Sequence, residues 1–343
     1  MQWQELFNAE PKYRLGQAKS ALFQDLIQNW QEARVLPLDL REELNKKCPI
    51  KISAEKIFSK DERTIKAVIF FDDGLLVETV LMRHKDKRNT ICVSSQIGCS
   101  LNCSFCATGK IGFKRNLDAW EIVSQVLFFV RYLKTIGEKI TNVVFMGMGE
   151  PFLNYQNVIG AIKILNDKEG FNLGARHFSI STVGIVEGIE KLAKEELQIN
   201  LAISLHAPAD KLRSELIPVN KKYTIDKILK AVDDYIKKTC RRVMFEYIMI
   251  DNINDSKEHA KALAKLMKKP LYFVNLISYN SMGSLATLGM KTPLSPFKSS
   301  SSSKIEKFKK ILESEGVAVT RRYRFGEDIT GACGQLATKN RRK

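Results

Sequence analysis

The strongest constraint on the fold is an alternation of strand-like and helix-like segments over most of the chain. Six short, nearly continuous apolar runs alternate with amphipathic stretches that include residues 120–136, 225–237 and 259–267. The runs are TICVSSQ, NVVFMG, HFSIS, NLAISL, RVMFEYIMI and LYFVNLI. Strands of this kind, separated by helices, are typical of a parallel sheet covered by helices. The pattern predicts an α/β fold, either doubly wound or an incomplete barrel, with ligands at the carboxyl ends of the strands.

The regions outside this alternation have patterns of their own. Residues 1–60 carry apolar positions at three- and four-residue steps, which predicts a small helical accessory domain. Residues 61–89 contain β-rich runs around a turn at 72–74, which predicts a connecting segment of strands. We therefore assign the core to residues 90–280. The remainder, 281–343, is predicted to comprise a loop over 281–303 that ends in five serines, then a final helix, a strand and the segment GEDITGACGQL.

Charge and composition narrow the partner and the compartment. The 343 residues include 55 Lys and Arg against 38 Asp and Glu, a net charge of +17, which favours a polyanionic partner such as nucleic acid. The visible basic clusters are Lys268 and Lys269, then Arg321, Arg322 and Arg324, and finally Lys339, Arg341, Arg342 and Lys343. The sequence has no apolar stretch long enough to span a membrane and no secretory signal pattern, so we expect a cytoplasmic protein with reduced thiols.

Three of the seven cysteines form one compact motif. Cys99, Cys103 and Cys106 follow a predicted strand with three and then two residues between them. Thiolates at this spacing can bind one metal centre and leave a coordination position for another ligand. Structural zinc normally takes a fourth protein ligand from a second pair of Cys or His residues, and the nearby sequence contains no such pair.

Polar residues recur where successive predicted strands end. The sequence MGMGEP occupies residues 146–151, Ser181 closes one run, Ser204 and His206 close the next, and Asn280 closes the last. Each has an ordinary structural alternative, since serine and asparagine cap helices and turns and a histidine can be buried in a core. Their recurrence at one predicted edge indicates a binding site.

The sequence GCSLNCSFCATG around the three cysteines resembles radical S-adenosylmethionine enzymes. This resemblance implies an incomplete (β/α)6 barrel, in which Cys99, Cys103 and Cys106 hold one 4Fe-4S cluster whose fourth iron binds the amino and carboxylate groups of S-adenosylmethionine. MGMGEP is similar to the GGEP-type motif that meets the cofactor's amino group. The resemblance thus gives a set of candidate cofactor-binding residues: Gly149, Glu150, Ser181, Ser204, Leu205, His206 and Asn280.

Three further motifs resemble the RlmN and Cfr group of RNA methyltransferases, and this resemblance covers nearly the whole chain. They are ACGQL around Cys333, VSSQIGC after Cys92, and VETV around Glu78. The resemblance implies C2 methylation of adenine 2503 in 23S ribosomal RNA and, in some members, of adenine 37 in transfer RNA. It also implies a flavodoxin- or ferredoxin-type electron donor, no membrane partner and a monomer.

The resemblance assigns a chemical role to each of these three residues. Cys333 takes a methyl group from one S-adenosylmethionine, and a second cofactor molecule is cleaved to a 5′-deoxyadenosyl radical that activates this methyl group. The resulting carbon radical adds to the adenine, joining protein and RNA covalently. Glu78 then accepts a proton, and Cys92 attacks Cys333 to release the product through a transient disulfide. Without these motifs, Cys92 and Cys333 would be interpreted as buried small hydrophobes and Glu78 as an exposed strand residue.

Several alternatives stay open from the sequence. Pro151 and the stretch FKSSSSSKIEKF favour C2 methylation, whereas Phe325 before Gly326 is a feature of enzymes that methylate C8. From a different class, a non-catalytic RNA-binding module stabilised by zinc predicts a colourless protein with no use for Cys333. A radical enzyme acting on a small molecule is the third alternative.

Overall fold

The computed structural model describes residues 2–281 and 296–337, and one ten-stranded sheet organises them. Its strands lie in the order β1-β2-β3-β4-β7-β8-β9-β10-β11-β12, and β5 pairs with β6 separately. The strands are β1 (Ser53–Phe58), β2 (Thr64–Phe70), β3 (Leu76–Arg83), β4 (Asn89–Val93), β5 (Gln96–Ile97), β6 (Arg115–Asn116), β7 (Asn142–Phe145), β8 (Phe178–Thr182), β9 (Asn200–Ser204), β10 (Val243–Met249), β11 (Tyr272–Ser278) and β12 (Val319–Arg321).

The sheet changes character at β4. Strands β1 to β4 are antiparallel, whereas β4 and β7 to β12 run parallel. The six predicted runs correspond to β4, β7, β8, β9, β10 and β11, so the predicted α/β fold with a mostly parallel sheet is confirmed. In the described part of the chain the order runs from β1 to β12 without closing, as expected for an incomplete barrel.

Helices follow the parallel strands and cover the sheet. They are α1 (Gln2–Glu5), α2 (Lys12–Ser20), α3 (Leu38–Lys47), α4 (Ala107–Lys110), α5 (Ala119–Thr135), α6 (Tyr155–Asn166), α7 (Val186–Leu192), α8 (Asp210–Leu216), α9 (Ile225–Thr239), α10 (Lys257–Met267) and α11 (Ser302–Ser314). The start of α5 is fixed by a capping box between Asp118 and Glu121. No helix among the described residues is long and apolar enough to cross a bilayer.

The prediction of a helical segment over residues 1–60 is wrong at its end. Helices stop at Lys47, and β1 pairs antiparallel with β2 in the main sheet. The strand SAEKIF is largely exposed and carries charged residues, so it lacks the apolar face that identifies a strand in sequence. Residues 61–89 are β-rich as predicted, and β2 and β3 extend the same sheet rather than only connecting two parts.

The prediction of a loop over residues 281–303 also needs correction. Residues 282–295 lie outside the described residues, as does the predicted basic tail at 339–343. Within the serine run, the Ser301 side chain accepts a hydrogen bond from the backbone N–H of Lys304 and caps α11, which already includes Ser302 and Ser303. Serine is a preferred N-cap residue, so a run that resembles a flexible linker here begins a helix.

After β12 the chain turns back across the open side of the barrel. We call residues 322–337 the C-terminal segment. It packs against the antiparallel strands, where Arg63 donates a hydrogen bond to the hydroxyl of Tyr323 at 2.7 Å and the backbone N–H of Lys60 donates to Asp328 at 2.8 Å. The segment therefore spans the space between β12 and β2, which the strands themselves leave open.

Candidate active site

Two loops at the carboxyl ends of β4 and β7 are bound tightly to each other. The hydroxyl of Ser94 accepts a hydrogen bond from the backbone N–H of Met148 at 2.9 Å, and Gln96 Oε1 accepts one from the N–H of Glu150 at 2.9 Å. Gln125 of α5 bonds both the N–H and the C=O of Ser94. The loop with the sequence SSQ thus holds the loop with the sequence MGMGEP in place through hydrogen bonds to its backbone.

Glycine is required at two positions of this second loop. A Cβ on Gly147 would lie 2.7 Å from the backbone oxygen of Val93. Gly149 has φ of +98°, and a Cβ there would lie 2.6 Å from the Gln96 side chain. The close approach and the left-handed conformation together explain the glycines in MGMGEP and leave room in front of the loop for a ligand.

The three motif cysteines line one wall of a cavity, which we call the main cavity. Its open volume is about 930 Å³, and Cys99, Cys103 and Cys106 share it with Gly149 and Glu150. Burial raises the pKa of the Cys99 thiol to about 12 and that of Cys103 well above its usual value. Thiols in such surroundings become thiolates when a cationic centre binds them.

Glu150 is a buried carboxyl group at the edge of this cavity. It is 3% exposed, and its two oxygens accept hydrogen bonds from the backbone N–H groups of Phe152 at 3.1 Å and Val183 at 2.9 Å. Burial raises the pKa of Glu150 to about 7 despite these bonds. The side chain of Thr182 also favours the carboxylate, and a bound ammonium group would offset the remaining cost of burying the charge.

The opposite wall of the main cavity is polar. Ser181 donates a hydrogen bond to Glu246 at 2.9 Å, and its hydroxyl lies 3.3 Å from that of Ser204. His206 has φ of +60°, its Nδ1 accepts the N–H of Ile248 at 3.2 Å, and Phe105 packs edge-on against its ring. Burial lowers the pKa of His206 to about 3, so the imidazole is neutral.

A fully buried arginine fixes the loops that follow β8 and β9. Arg213 donates hydrogen bonds to the carbonyl oxygens of Val183, Ser204 and Leu205. The side chain of Leu205 is completely buried in the core, so Leu205 contributes backbone geometry and does not line the main cavity.

Cys333 lies at the junction of two cavities. It lines the main cavity and a second cavity that also contains Cys92, Asn280 and Arg322. Burial raises the pKa of Cys92 to about 12 and also raises that of Cys333, whereas the Arg322 guanidinium acts to lower both. The second cavity thus brings together two thiols that are 241 residues apart in sequence and a cation that favours their thiolates.

Asn280 supplies a buried polar atom that suits a ligand. Its Nδ2 donates to the carbonyl of Cys333 at 3.4 Å, while its Oδ1 has no hydrogen-bond partner among the described residues. Buried acceptors are normally satisfied. The residues present therefore fit an adenosyl cofactor: three thiols for an iron cluster, a carboxylate for an amino group, and hydroxyl and amide groups for the nucleoside.

Glu78 is placed differently from the other candidates. It is 1% exposed and lines neither cavity; its carboxylate pairs with Lys66 at 2.9 Å and accepts the backbone N–H of Ala337 at 2.7 Å. Glu78 therefore contacts the C-terminal segment four residues beyond Cys333 rather than facing the space where a substrate would bind.

The sequence interpretation missed four residues that the structure places around the site: Lys66, Gln96, Glu246 and Arg322. One signal was available for Glu246, which is the single charge within the apolar run VMFEYIMI. Arg322 was noted only as a member of a basic cluster. The structure pairs these two, with Nη1 of Arg322 donating to Oε1 of Glu246 at 3.2 Å.

The fold and the site define a radical S-adenosylmethionine enzyme. Residues 93–264 match the family model described as Radical SAM superfamily. Its cofactors are therefore a 4Fe-4S cluster and S-adenosylmethionine, and the alternative of a zinc-stabilised binding module without catalysis is not supported.

Curated relatives and one crystal structure are similar over almost the whole chain. A probable dual-specificity RNA methyltransferase RlmN from Dictyoglomus thermophilum is 44% identical over 95% of this chain and 91% of its own length. A ribosomal RNA large subunit methyltransferase N from Nitrosopumilus maritimus is 45% identical, over 95% and 93%. A radical SAM methyltransferase from Sphaerobacter thermophilus is 42% identical with a TM-score of 0.91, covering 97% of this chain and 96% of that chain. The chain belongs to the RlmN family.

Proposed function

We propose that the protein methylates C2 of adenine 2503 in 23S ribosomal RNA and of adenine 37 in transfer RNA, with Cys333 as the methyl carrier. One observation carries this proposal: Cys333 lines both the main cavity and the cavity that contains Cys92 and Arg322. A thiol in that position can receive a methyl group on one side and meet a second thiol on the other. RNA substrates also support a cytoplasmic location, and we retain a monomer with a flavodoxin- or ferredoxin-type donor.

The cofactors would be held by groups on the main cavity together with Asn280 of the adjoining second cavity. Cys99, Cys103 and Cys106 would bind the cluster, and Glu150 would bind the amino group of S-adenosylmethionine. The hydroxyls of Ser181 and Ser204 and the amide of Asn280 suit the nucleoside. When bound, the cluster and S-adenosylmethionine supply the radical chemistry that activates an otherwise inert methyl group.

The first task of the chain itself is to present Cys333 as a nucleophile. The thiolate displaces S-adenosylhomocysteine from the methyl sulfonium and becomes a thioether. Burial opposes thiolate formation, and the cation of Arg322 favours it. Glu246, which accepts from Arg322, helps to hold that guanidinium near both thiols.

Cys92 is suited to release the product. Its thiolate attacks the sulfur of Cys333, the sulfur–sulfur bond forms, and the bond from Cys333 to the transferred carbon breaks. The electron pair leaves with that carbon, which then takes up a proton. Two observations support this pairing: Cys92 and Cys333 both line the second cavity, and the two thiols are close enough for Cys333 to influence the pKa of Cys92.

Glu78 remains our candidate proton acceptor, under a condition. Both of its oxygens have partners, Lys66 and the N–H of Ala337, so an adenine could reach the carboxylate only after the C-terminal segment shifts. Its bond to the segment that carries Cys333 is the observation that supports this role.

A basic groove supports an RNA substrate. Helices α10 and α11 lie side by side with their N-termini at the carboxyl edge of the sheet, where the site is. Exposed Lys257, Lys307 and Lys310 line the groove between them, above Phe308. Lysines along a groove bind a phosphate backbone without reading its sequence. We call these three residues the lysine groove.

We propose methylation at C2 rather than at C8 of the adenine. Glu150 is followed by Pro151, which begins a helical turn at the site and is one of the features that favour C2 in the sequence. Phe325 packs edge-on against His84 and Tyr323, outside the main cavity. Phe325, the residue that resembles C8 enzymes, thus lines the second cavity with Cys333 and not the main cavity.

The test is methyl transfer from labelled S-adenosylmethionine to a 23S ribosomal RNA fragment and to a transfer RNA anticodon stem-loop. The holoenzyme should place the label on C2 of one adenine, as read by mass spectrometry of the digested RNA. Cys333→Ala should abolish transfer, and Cys92→Ala should accumulate a protein–RNA adduct. Cys240→Ala, which removes an exposed cysteine far from both cavities, is the matched control and should retain activity.

Two results would count against the proposal in different ways. Label on C8 would keep the mechanism and change the regiochemistry. Transfer that persists in Cys333→Ala would remove the methyl-carrier role and return the small-molecule or direct-transfer alternatives.

A further inference from the structure

One buried ion pair contacts both ends of the turn that contains Cys333. Lys66 Nζ lies 2.9 Å from Glu78 Oε1, and the two side chains are only 6% and 2% exposed. The pair spans β2 and β3, and the register Val80 opposite both Lys66 and Cys92 puts it on the sheet face that carries Cys92. Burial of two opposite charges is costly unless other bonds satisfy them, so their remaining partners are informative.

Both side chains also bond the C-terminal segment. Lys66 Nζ donates to the hydroxyl of Thr330 at 2.9 Å, three residues before Cys333. Glu78 Oε2 accepts the backbone N–H of Ala337 at 2.7 Å, four residues after it. The middle of the turn is bound separately, because the N–H of Ala107 and the hydroxyl of Thr108 donate to the carbonyls of Gly334 and Leu336.

We infer that Lys66 and Glu78 form a clasp that holds the Cys333 turn over the two cavities, which makes Lys66 a positioning residue for methyl transfer. The inference rests on the proposed role of Cys333 as methyl carrier. Lys66 bonds both Glu78 and Thr330, and Glu78 bonds both Lys66 and Ala337, so removal of either side chain releases one end of the turn and takes a partner from the charge that remains. When the segment lifts, Oε2 of Glu78 loses the N–H of Ala337 and becomes available to accept a proton.

The clasp is tested by the accessibility of Cys333, which does not depend on catalysis. The holoenzyme is treated anaerobically with iodoacetamide, and the modification of Cys333 is followed by mass spectrometry with exposed Cys240 as the internal standard. Lys66→Met should increase the rate at Cys333 relative to Cys240 by about tenfold, since local opening needs less free energy. Lys85→Met, at an exposed position in the β3–β4 turn, should leave the ratio unchanged.

A charge-reversed pair distinguishes a role in holding the Cys333 turn from a role in stabilising the sheet alone. The double variant Lys66→Glu/Glu78→Lys restores an ion pair between β2 and β3, but a lysine at position 78 cannot accept the N–H of Ala337. The clasp predicts that Cys333 stays as reactive as in Lys66→Met. Return of the ratio to the wild-type value would show that the pair only stabilises the sheet and would overturn the inference.

Folding and function are controlled separately. If Lys66→Met leaves a lone buried carboxylate and unfolds, Lys66→Met/Glu78→Gln removes both charges and should show the same increase at Cys333 with a cooperative thermal transition. In methylation assays the loss should fall on kcat, with KM for RNA unchanged. An unchanged alkylation ratio in a folded variant would sink the clasp even if Cys333 is the methyl carrier, while persistent methylation by Cys333→Ala would sink only the proposed function.

Discussion

Burial and charge act in opposite directions on the thiols of Cys92 and Cys333. Desolvation raises both pKa values, and the guanidinium of Arg322 lowers them. Near neutral pH the reactive thiolate is therefore a minor species whose population depends on one side chain. The Arg322 cation acts on both thiols and so supports both proposed steps, the methylation of Cys333 and the attack of Cys92 on Cys333.

We expect Arg322→Gln to slow disulfide formation between Cys92 and Cys333 by about tenfold at pH 8, which corresponds to roughly one pKa unit. Loss of the cation raises the thiol pKa, so the thiolate fraction falls at a fixed pH and recovers as the pH rises. The measurement is the rate at which an added thiol oxidant converts the two thiols to the disulfide from pH 7 to about 10, a range below the raised pKa of Cys92 in which the thiolate fraction increases with pH.

Arg321→Gln is the matched control, because the neighbouring guanidinium pairs with Glu306 at 3.0 Å and does not line either cavity. Arg322→Lys keeps a cation and should restore much of the rate. A pH profile that Arg322→Gln leaves in place would contradict the assigned role of this arginine.

At the residue level, motifs predicted positions that line the two cavities, and they missed the positions whose partners are distant in sequence. Cys99, Glu150 and Asn280 lie in local patterns at strand ends and line the predicted site or its neighbouring cavity. The roles of Lys66 and Arg322 depend on ion pairs with Glu78 and Glu246, which are distant from them in sequence or lie on another strand. No local spacing encodes such pairs, because the fold has to bring the residues together.

The elements show the same division between local and long-range information. Six of the seven parallel strands among the described residues, β4 and β7 to β11, are largely buried and mostly apolar, so hydrophobic pattern alone identified them. Strand β1 is held at the sheet edge by the backbone of β2, and its exposed side chains Glu55 and Lys56 discourage pairing with another chain. A strand can therefore be predicted from sequence when its side chains are buried, because burial requires apolar residues. It cannot be predicted in this way when only backbone hydrogen bonds hold it in the sheet.

Helices α10 and α11 form the lysine groove, which we propose binds the RNA backbone. Replacing the lysine groove by Lys257→Gln/Lys307→Gln/Lys310→Gln should weaken RNA binding and lower the slope of log K against log salt by about 2 to 3, as expected for three lost phosphate contacts. Fluorescence anisotropy of a labelled RNA fragment at several salt concentrations measures this slope.

The control removes the same charge from the opposite edge of the sheet. Exposed Lys194, Lys238 and Lys265 lie at or just beyond the C-terminal ends of α7, α9 and α10. Their joint replacement by glutamine should change the salt slope much less. Equal slopes for the two triple variants would show that net charge, and not the groove, attracts RNA.

On the scale of the whole molecule, the N-terminal helices share one hydrophobic core with the sheet. Trp3, Leu22 and Trp30 belong to the same contiguous cluster as the strands. The carbonyl oxygens of Ile27 and Ile50 accept hydrogen bonds from Arg131 of α5, and Lys19 pairs with Asp167 at 2.8 Å. The helical segment is thus packed onto the barrel rather than attached by a linker.

We expect Trp30→Ala to destabilise the entire protein by about 3 to 5 kcal/mol, the usual cost of removing a fully buried tryptophan. Urea unfolding followed by circular dichroism should show one cooperative transition that moves to lower denaturant. Tyr13→Ala, at a position 59% exposed in the same segment, should change stability by no more than about 0.5 kcal/mol. Two separate transitions would indicate an independently folding N-terminal unit.

The contacts of the C-terminal segment also set an order of assembly during translation. Lys66 and Thr330 are 264 residues apart in the chain, and Glu78 and Ala337 are 259 apart. At roughly 5 to 20 residues per second, the ribosome needs on the order of 13 to 52 s to make that intervening stretch. Throughout this interval Thr330 and Ala337 have not yet been synthesised, so Lys66 and Glu78 of the nascent chain cannot bond the C-terminal segment. Cys333 therefore takes its place only after the sheet is complete, so a chain interrupted before residue 330 would retain the cluster motif and lack the proposed methyl carrier.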